Sequence, residues 1–256
     1  SRYTIRIKDL IKPDFVYVTA ETDQEEVAKL LSQYNLTSIP VVDDEMKLLG
    51  RITFDDVIDV LEEENTEDFL KISGVSEDEE LSGNWREAVK SRLPWLIINL
   101  GTAFLASSVI RYFDDTIVRI GILAGYMTMI AGMGGNAATQ ALAVTVRRIS
   151  LNDLTDQQAY QAVLKELTVG LINGATNGVI VFLFALFYDS NPMLGLVIFL
   201  AMTGNLIIAG ITGASIPLLL KRMGIDPAIA SSIIITTFTD IFGFLLILGL
   251  ASKLLL

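Results

Sequence analysis

The sequence predicts a mainly α protein: a five-helix polytopic transmembrane domain preceded by a small α/β cytoplasmic domain. Three observations predict it. Four stretches carry no charged residue: Leu93–Ile110 (18 residues), Ile120–Val146 (27), Leu167–Tyr188 (22) and Ser190–Leu220 (31). A fifth, Ala228–Ser252, carries a single charge, Asp240. Roughly 20 apolar residues suffice to cross a hydrocarbon core of about 30 Å. Second, 52% of the residues are hydrophobic and the mean hydropathy is +0.52, too apolar for an ordinary soluble chain. Third, charge is segregated. Residues 1–83 hold 21 acids and 8 bases, a net −13, whereas the remainder holds 9 acids and 11 bases, a net +2.

These bounds exclude several function classes. With no cysteine and no histidine, disulfides, Cys/His zinc sites, Ser-His-Asp or Cys-His catalysis and histidine pH switching are all out. The acidic head argues against a nucleic-acid partner, which selects a basic face. The chain opens in polar sequence with neither Met nor a signal peptide, as a fragment of a longer protein would.

Within the head, Phe15–Val18 reads as a strand. Asp23–Tyr34 reads as an amphipathic helix with Val27, Leu30, Leu31 and Tyr34 inward, and Thr22 with Glu25 forms a capping box. Ile39–Val42 and Leu48–Thr53 then read as strands joined by the acidic turn Asp43–Lys47, and Phe54–Glu64 returns to helix. Such a unit leaves apolar surface uncovered and is expected to pair with a second copy. The segments Ser38-Ile-Pro-Val-Val-Asp43 and Leu49-Gly-Arg-Ile-Thr-Phe-Asp-Asp-Val57 resemble the second half of a CBS domain. In that family the Gly50, Thr53 and Asp56 positions often cradle an adenosine nucleotide. CBS modules usually act in pairs and one is visible here, so the Thr53 hydroxyl is assigned to helix capping in preference to nucleotide contact.

Residues 55–80 contain twelve acids (Asp55, Asp56, Asp59, Glu62, Glu63, Glu64, Glu67, Asp68, Glu77, Asp78, Glu79, Glu80) against one base, Lys71. Asp56, Asp59, Glu63 and Glu67 fall at helical spacing on one side. A run like this is commonly a solvated face. The mutual repulsion is also relieved by divalent cations, and hard oxygen ligands suit Mg²⁺ or Ca²⁺. Asn84–Arg92 reads as a short helix feeding directly into the membrane. The expected division is therefore 1–66 for the head, 67–92 for an acidic connector or plug helix, and 93–256 for the membrane domain. Its helices are expected near 93–110, 117–146, 163–188, 193–220 and 228–252. Ser190–Leu220 is too long for one straight crossing, so tilt or an interfacial part is expected. Arg86, Lys90, Arg92, Arg147, Arg148, Lys165, Lys221 and Arg222 fall on the side of the head, and Arg111, Arg119 and Lys253 on the other. Eight against three puts the head in the cytoplasm and the C-terminus outside.

Two features inside the membrane carry chemistry. A carboxylate at the centre of a span costs about 2.5 kcal/mol or more unless it faces protein, water or a cation, which makes Asp240 either a helix-bonded acid or an ion site. Thr236, Thr237 and Thr239 lead into it and Gly243 follows. The second span contains Gly132-Met-Gly-Gly-Asn-Ala-Ala-Thr-Gln140. Small-residue packing accounts for the glycines. Asn136, Thr139 and Gln140 together exceed packing, and a water-filled path bounded by Gly132, Gly135, Asn136 and Thr139 explains them better. Gly204-Asn205, Gly210–Ser215 and Pro217 of the fourth span read as packing first and pore second, with a kink at Pro217. One carboxylate cannot strip the waters of Mg²⁺, which dehydrates reluctantly. In a symmetric dimer, two Asp240 carboxylates on one axis would hold the hydrated ion and favour divalent over monovalent cations.

Taken together the chain resembles the MgtE family of Mg²⁺ transporters and channels. The resemblance rests on the CBS-like end, the acidic connector, Pro94-Trp95-Leu96, Gly134-Gly135-Asn136…Gln140, and Gly224-Ile-Asp-Pro227 leading to Thr237-Phe-Thr-Asp240. It implies a homodimer of five-span subunits in the plasma membrane, with a pore along the dimer axis lined by the second and fifth spans. The family's essential acid falls on Asp240 and its pore-lining positions on Gly132, Gly135, Thr139 and Thr236; the family has Asn where this chain has Thr139. The resemblance also implies that cytosolic Mg²⁺ locks the pore shut, with sensing acids at Asp56, Asp59, Glu64, Glu67 and Asp68. Mn²⁺, Co²⁺ and Ca²⁺ are the competing ions. The family's N-terminal helical domain and first CBS repeat are lacking in this sequence. Two other readings stand beside this one. A secondary transporter of Co²⁺, Mn²⁺ or Mg²⁺ would have Asp240 take up a proton, and voltage-dependent current without a proton gradient separates the two. An intramembrane aspartic protease would need two Asp240 carboxylates close enough to share a proton, which the surrounding Thr and Asn do not favour. The chain is accordingly not expected to be an enzyme.

Overall fold

The computed structural model describes residues 15–76, 83–151, 154–229 and 232–256. The chain divides into two compact units, residues 1–68 and 69–256. In the first, β1 (Val18–Thr19), α1 (Gln24–Gln33) and β2 (Ser38–Val42) form a parallel crossover, and β3 (Leu48–Thr53) adds antiparallel to β2. Ile39 pairs with Ile52, and the register shifts between Val41 and Val42. Val18, Val27, Ala28, Leu31, Ile39 and Val57 make its core. The start of α1 differs from the sequence expectation. Asp23, not Thr22, is the N-cap, its carboxylate accepting from the Glu25 N–H at 2.8 Å, while Thr22 turns back to bond Thr19. A carboxylate at this position also meets the positive end of the helix dipole, which a hydroxyl does not exploit. Tyr34 is 53% exposed rather than inward, because it is the C-cap residue and Asn35 (φ 50°) turns the chain away in the left-handed conformation. Leu48, Leu49, Phe54, Ile58 and Leu61 are all exposed, so this unit does leave an uncovered apolar face.

α2 runs Phe54–Ile72, well beyond the expected Glu64. Glu is a good helix former, and no breaker intervenes until Gly74, whose φ of 73° ends the helix with a Val75 N–H bond back to the Leu70 carbonyl. The unit boundary falls within this helix, after Asp68. Glu77, Asp78, Glu79 and Glu80 of the acidic run lie outside the described residues.

In the second unit three of the long helices begin on polar N-caps, Asn84, Thr155 and Asn191, rather than at the edges of the apolar stretches, since helix formation does not stop where hydropathy does. α3 (Trp85–Tyr112) is one continuous helix, so the expected short helix at Asn84–Arg92 is its first turns. Asn84 and Glu87 close a capping box. α4 (Asp114–Arg119) is a separate short helix, and the chain breaks around Gly121 before α5 (Leu123–Leu151); the second apolar helix therefore starts at 123, not 117. α6 (Asp156–Tyr188) starts on a Thr155/Gln158 capping box, earlier than 163. α7 (Pro192–Arg222) has Asn191 as its N-cap and Pro192 in its first turn, and it contains the buried Pro217. After a 3₁₀ turn at Pro227–Ile229, α8 spans Ser232–Leu254. α7 is the hub against which α5, α6 and α8 pack, and α3 lies on α8.

Among the described residues, four helices are long and apolar enough to cross a membrane: α3, α6, α7 and α8. α5 has 29 residues but is not among them, because the Gly132–Gln140 segment is polar. On these criteria four of the five expected crossings are found among the described residues, and the five-helix count is not reached.

Candidate ion-conduction site between two helices

The second span of the sequence analysis, α5, and the fifth, α8, pack directly against each other. Their contact is built from absent side chains. A Cβ on Gly135 would stand 3.2 Å from Thr236 Cγ2, and one on Gly134 would stand 3.2 Å from Thr239 Cβ and overlap the Asn205 amide. These two glycines therefore let the backbone of α5 approach the threonine face of α8. The threonines satisfy themselves within their own helix. Thr236 and Thr237 donate to the Ile233 carbonyl at 3.2 and 2.7 Å, and Thr239 donates to Thr236 O at 2.9 Å. Thr139 likewise donates to Gly135 O at 2.9 Å. Their hydroxyl protons are thus occupied, and what remains for a ligand is oxygen lone pairs.

Asp240 follows Thr236 by four residues, placing both on one face of α8. It is half-buried, and among the described residues it has no hydrogen-bond or ion-pair partner. Helix-to-helix bonding, the modest reading of this acid, is therefore not found among the described residues. On α5, Gly132, Asn136 and Gln140 recur at intervals of four and are exposed; a Cβ on Gly132 would meet nothing within 4 Å. The structure thus brings together Gly135 and Thr236, sets Asp240 one turn further along α8, and leaves Gly132 and Asn136 on an open face.

Asn205 carries more than the sequence reading gave it. It is fully buried in α7, and its Nδ2 donates to the Ile130 carbonyl of α5 at 2.9 Å. One Asn in an apolar run, preceded by Gly204 and matched by glycines on two other spans, was the available signal. Ordering of the α8 entry was also missed. Lys71 pairs with Asp226 at 2.8 Å, Asp226 also caps the 3₁₀ turn by accepting from Ala228 N, and Gly74 packs under Ile233.

The five expected sensing acids belong to the first unit. Asp56 Oδ2 accepts from both the Thr53 N–H (2.9 Å) and the Thr53 hydroxyl (2.6 Å), so the hydroxyl expected to cap the helix is instead a donor to the acid, because the nearby carboxylate is the stronger acceptor. These bonds hold the Asp56 carboxyl below its ordinary value. Glu64 accepts from Gln24 Nε2 at 2.8 Å, and Asp59 is exposed. Among the described residues no three acids gather closely enough to hold a metal ion. Because the folded Asp56 value is depressed, its contribution to head stability is present above the unfolded value, near 3.8, and is lost as pH falls through the folded one. Thr53→Val removes the largest cause. A carbon-detected NMR titration should then show Asp56 returning toward 3.8.

Residues 127–250 match the family model of MgtE, described as a divalent cation transporter, and residues 7–63 match that of the CBS domain. The magnesium transporter MgtE of Enterococcus faecalis is 36% identical over 246 residues, covering 96% of this chain and 54% of that protein. The membrane part of this chain is thus similar to the MgtE divalent cation transporters. The MgtE magnesium transporter of Bacillus subtilis is 34% identical over 247 residues (96% of this chain, 55% of the relative). That of Thermus thermophilus is 34% identical over 252 residues (98% and 56%). The chain thus spans little more than half the length of the curated MgtE relatives it matches. The MgtE match, the CBS match and the apolar helices together make this a multi-pass membrane protein.

Proposed function

We propose that this chain transports Mg²⁺ across the membrane, as the names of its relatives state for them, through a path on the axis of a homodimer. The observation that carries the reading is Asp240: a half-buried carboxylate at mid-span without a partner among the described residues. An acid in that position needs an opposing charge or water. The exposed polar face of α5 needs covering too, because polar side chains at membrane depth turn to protein or water. A second copy satisfies both needs. α5 then acts as a fifth crossing whose polarity is explained by facing the path rather than lipid. Gly132, Gly135, Asn136, Thr139 and Thr236 line it, and two Asp240 carboxylates contact the hydrated ion through its waters. The bilayer is the third partner.

The acidic head supplies regulation. Asp59, Glu67 and Asp68, with Asp56 and Glu64, gather Mg²⁺ only when a second head or a further segment brings more oxygens alongside, and bound Mg²⁺ then favours the shut state. The basic residues put this head in the cytoplasm and the C-terminus outside. Nucleotide binding is not part of the reading, since Thr53 and Asp56 are committed to each other.

The test is Mg²⁺ uptake by liposomes holding purified protein, native beside Asp240→Ala, with Mg²⁺ titrated on the face of the head. Native uptake that falls as Mg²⁺ rises on that face, and is lost in the variant, supports a gated path. Uptake that survives Asp240→Ala returns the acid to packing and ends the proposal.

A further inference from the structure

We infer that Asn205 is a positioning residue for the ion site: its amide fixes α8, and with it Asp240, against the glycine motif of α5. The inference rests on the transport reading above and adds a residue that does not touch the path. Three helices meet at this side chain. Its nitrogen end points to α5, donating to Ile130 O at 2.9 Å and filling the space left by Gly134. Its other side lies against α8, where a Cβ on Gly243 would stand 2.9 Å from Nδ2 and 3.3 Å from Oδ1. Gly243 is three residues beyond Asp240 and Thr239 is the residue before it, so the amide and Asp240 share two adjacent turns of α8. Thr239 is itself fully buried and shares the Gly134 gap with Asn205.

Packing alone does not call for an amide here. Leu has the same branched side-chain skeleton and carries no desolvation cost. Yet Asn205 Oδ1 is buried with no hydrogen-bond partner among the described residues, a cost that a purely structural residue would not retain. Thr239, buried and bordering the same Gly134 gap, now gives its hydroxyl to Thr236 O at 2.9 Å. Rotation of that hydroxyl toward Oδ1 would exchange a bond within α8 for one between α8 and α7. The free oxygen thus offers α8 a second seating, and the glycines on both sides leave room for the amide to serve either one.

The experiment measures Mg²⁺ flux in liposomes as a function of Mg²⁺ concentration, with and without competing Ca²⁺. Proteins are native, Asn205→Leu, Gly243→Ala and their combination. Asn205→Leu removes both ends of the strut, and Gly243→Ala pushes the amide from the α8 side while leaving α7 intact, so one variant remains if the other does not fold. Each should raise the half-saturating Mg²⁺ concentration or lower the Mg²⁺ preference over Ca²⁺ by about tenfold. The combination should be no worse than the stronger single change, as expected for residues acting as one unit. Flux that falls only in proportion to folded protein, with half-saturation and ion preference unchanged, overturns the proposal. Asp240→Asn in the same vesicles separates the two readings, because survival of flux there removes the ion site itself whatever Asn205 does.

Discussion

Gly170→Leu should prevent α6 and α7 from packing and leave little monodisperse protein after detergent extraction. The expectation follows from how these two helices touch. Gly170, Gly174 and Gly178 recur every four residues along α6, all buried, and form a groove for α7. A Cβ on Gly170 would overlap the Leu206 carbonyl and stand 3.0 Å from the Ile207 Cα; on Gly174 it would stand 2.8 Å from the Thr203 Cα. These neighbours are backbone and cannot rotate aside. α7 returns the arrangement, since Gly210 admits the Glu166 backbone of α6. In lipid no hydrophobic force drives helices together, so close backbone approach is the main source of this contact. Even modest overpacking costs about 1–3 kcal/mol, and a leucine here must separate α7, the hub, from its neighbour. Gly101→Ala on α3, where a Cβ meets nothing within 4 Å, is the control and should be neutral or slightly stabilising. Size-exclusion profiles and thermal aggregation of the two variants check both halves. Equal behaviour would show that the glycine groove is not what holds α6 to α7.

The helices were legible because charge-free stretches of this length have few alternatives, whereas their ends were not, because caps decide ends. Thr155 with Gln158 and Asn84 with Glu87 set the starts of α6 and α3 well outside the apolar edge. At α1 two adjacent residues competed for the cap, and Asp23 prevailed over Thr22. The candidate site was legible at Asp240 and in the α5 motif because polar atoms are conspicuous at membrane depth. What stayed hidden was which polar groups face one another across helices. Asn205 looked like packing, since nothing in a linear sequence places Gly134 and Gly243 on either side of it. Likewise the acids of residues 55–68 look like one metal-binding face, yet Asp56 and Glu64 already bond Thr53 and Gln24.

Asp240→Asn should reduce Mg²⁺ flux by at least about a hundredfold, and Asp240→Glu by no more than about tenfold. The two substitutions separate charge from shape. Asn keeps the size of Asp and its ability to accept from hydration water, but cancels the charge. Across one bridging water, at an effective dielectric near 20, a divalent ion and one carboxylate attract by several kcal/mol. The desolvation of a half-buried carboxylate offsets part of that, and two such groups act on one ion in the proposed dimer. A residue of about 3 kcal/mol is enough for a hundredfold change. Glu restores the charge on a side chain one methylene longer. In a site that holds Mg²⁺ through its waters the added length shifts the contact without forcing dehydration, so substantial flux remains. A site binding the bare ion would not tolerate it, because Mg²⁺ accepts only near-ideal octahedral geometry at roughly 2.0–2.1 Å. Flux followed with a Mg²⁺-sensitive dye in vesicles of matched protein content distinguishes these cases. Loss with Asn and retention with Glu marks an electrostatic contact to the hydrated ion. Loss with both marks direct coordination, and retention with Asn removes Asp240 from the path.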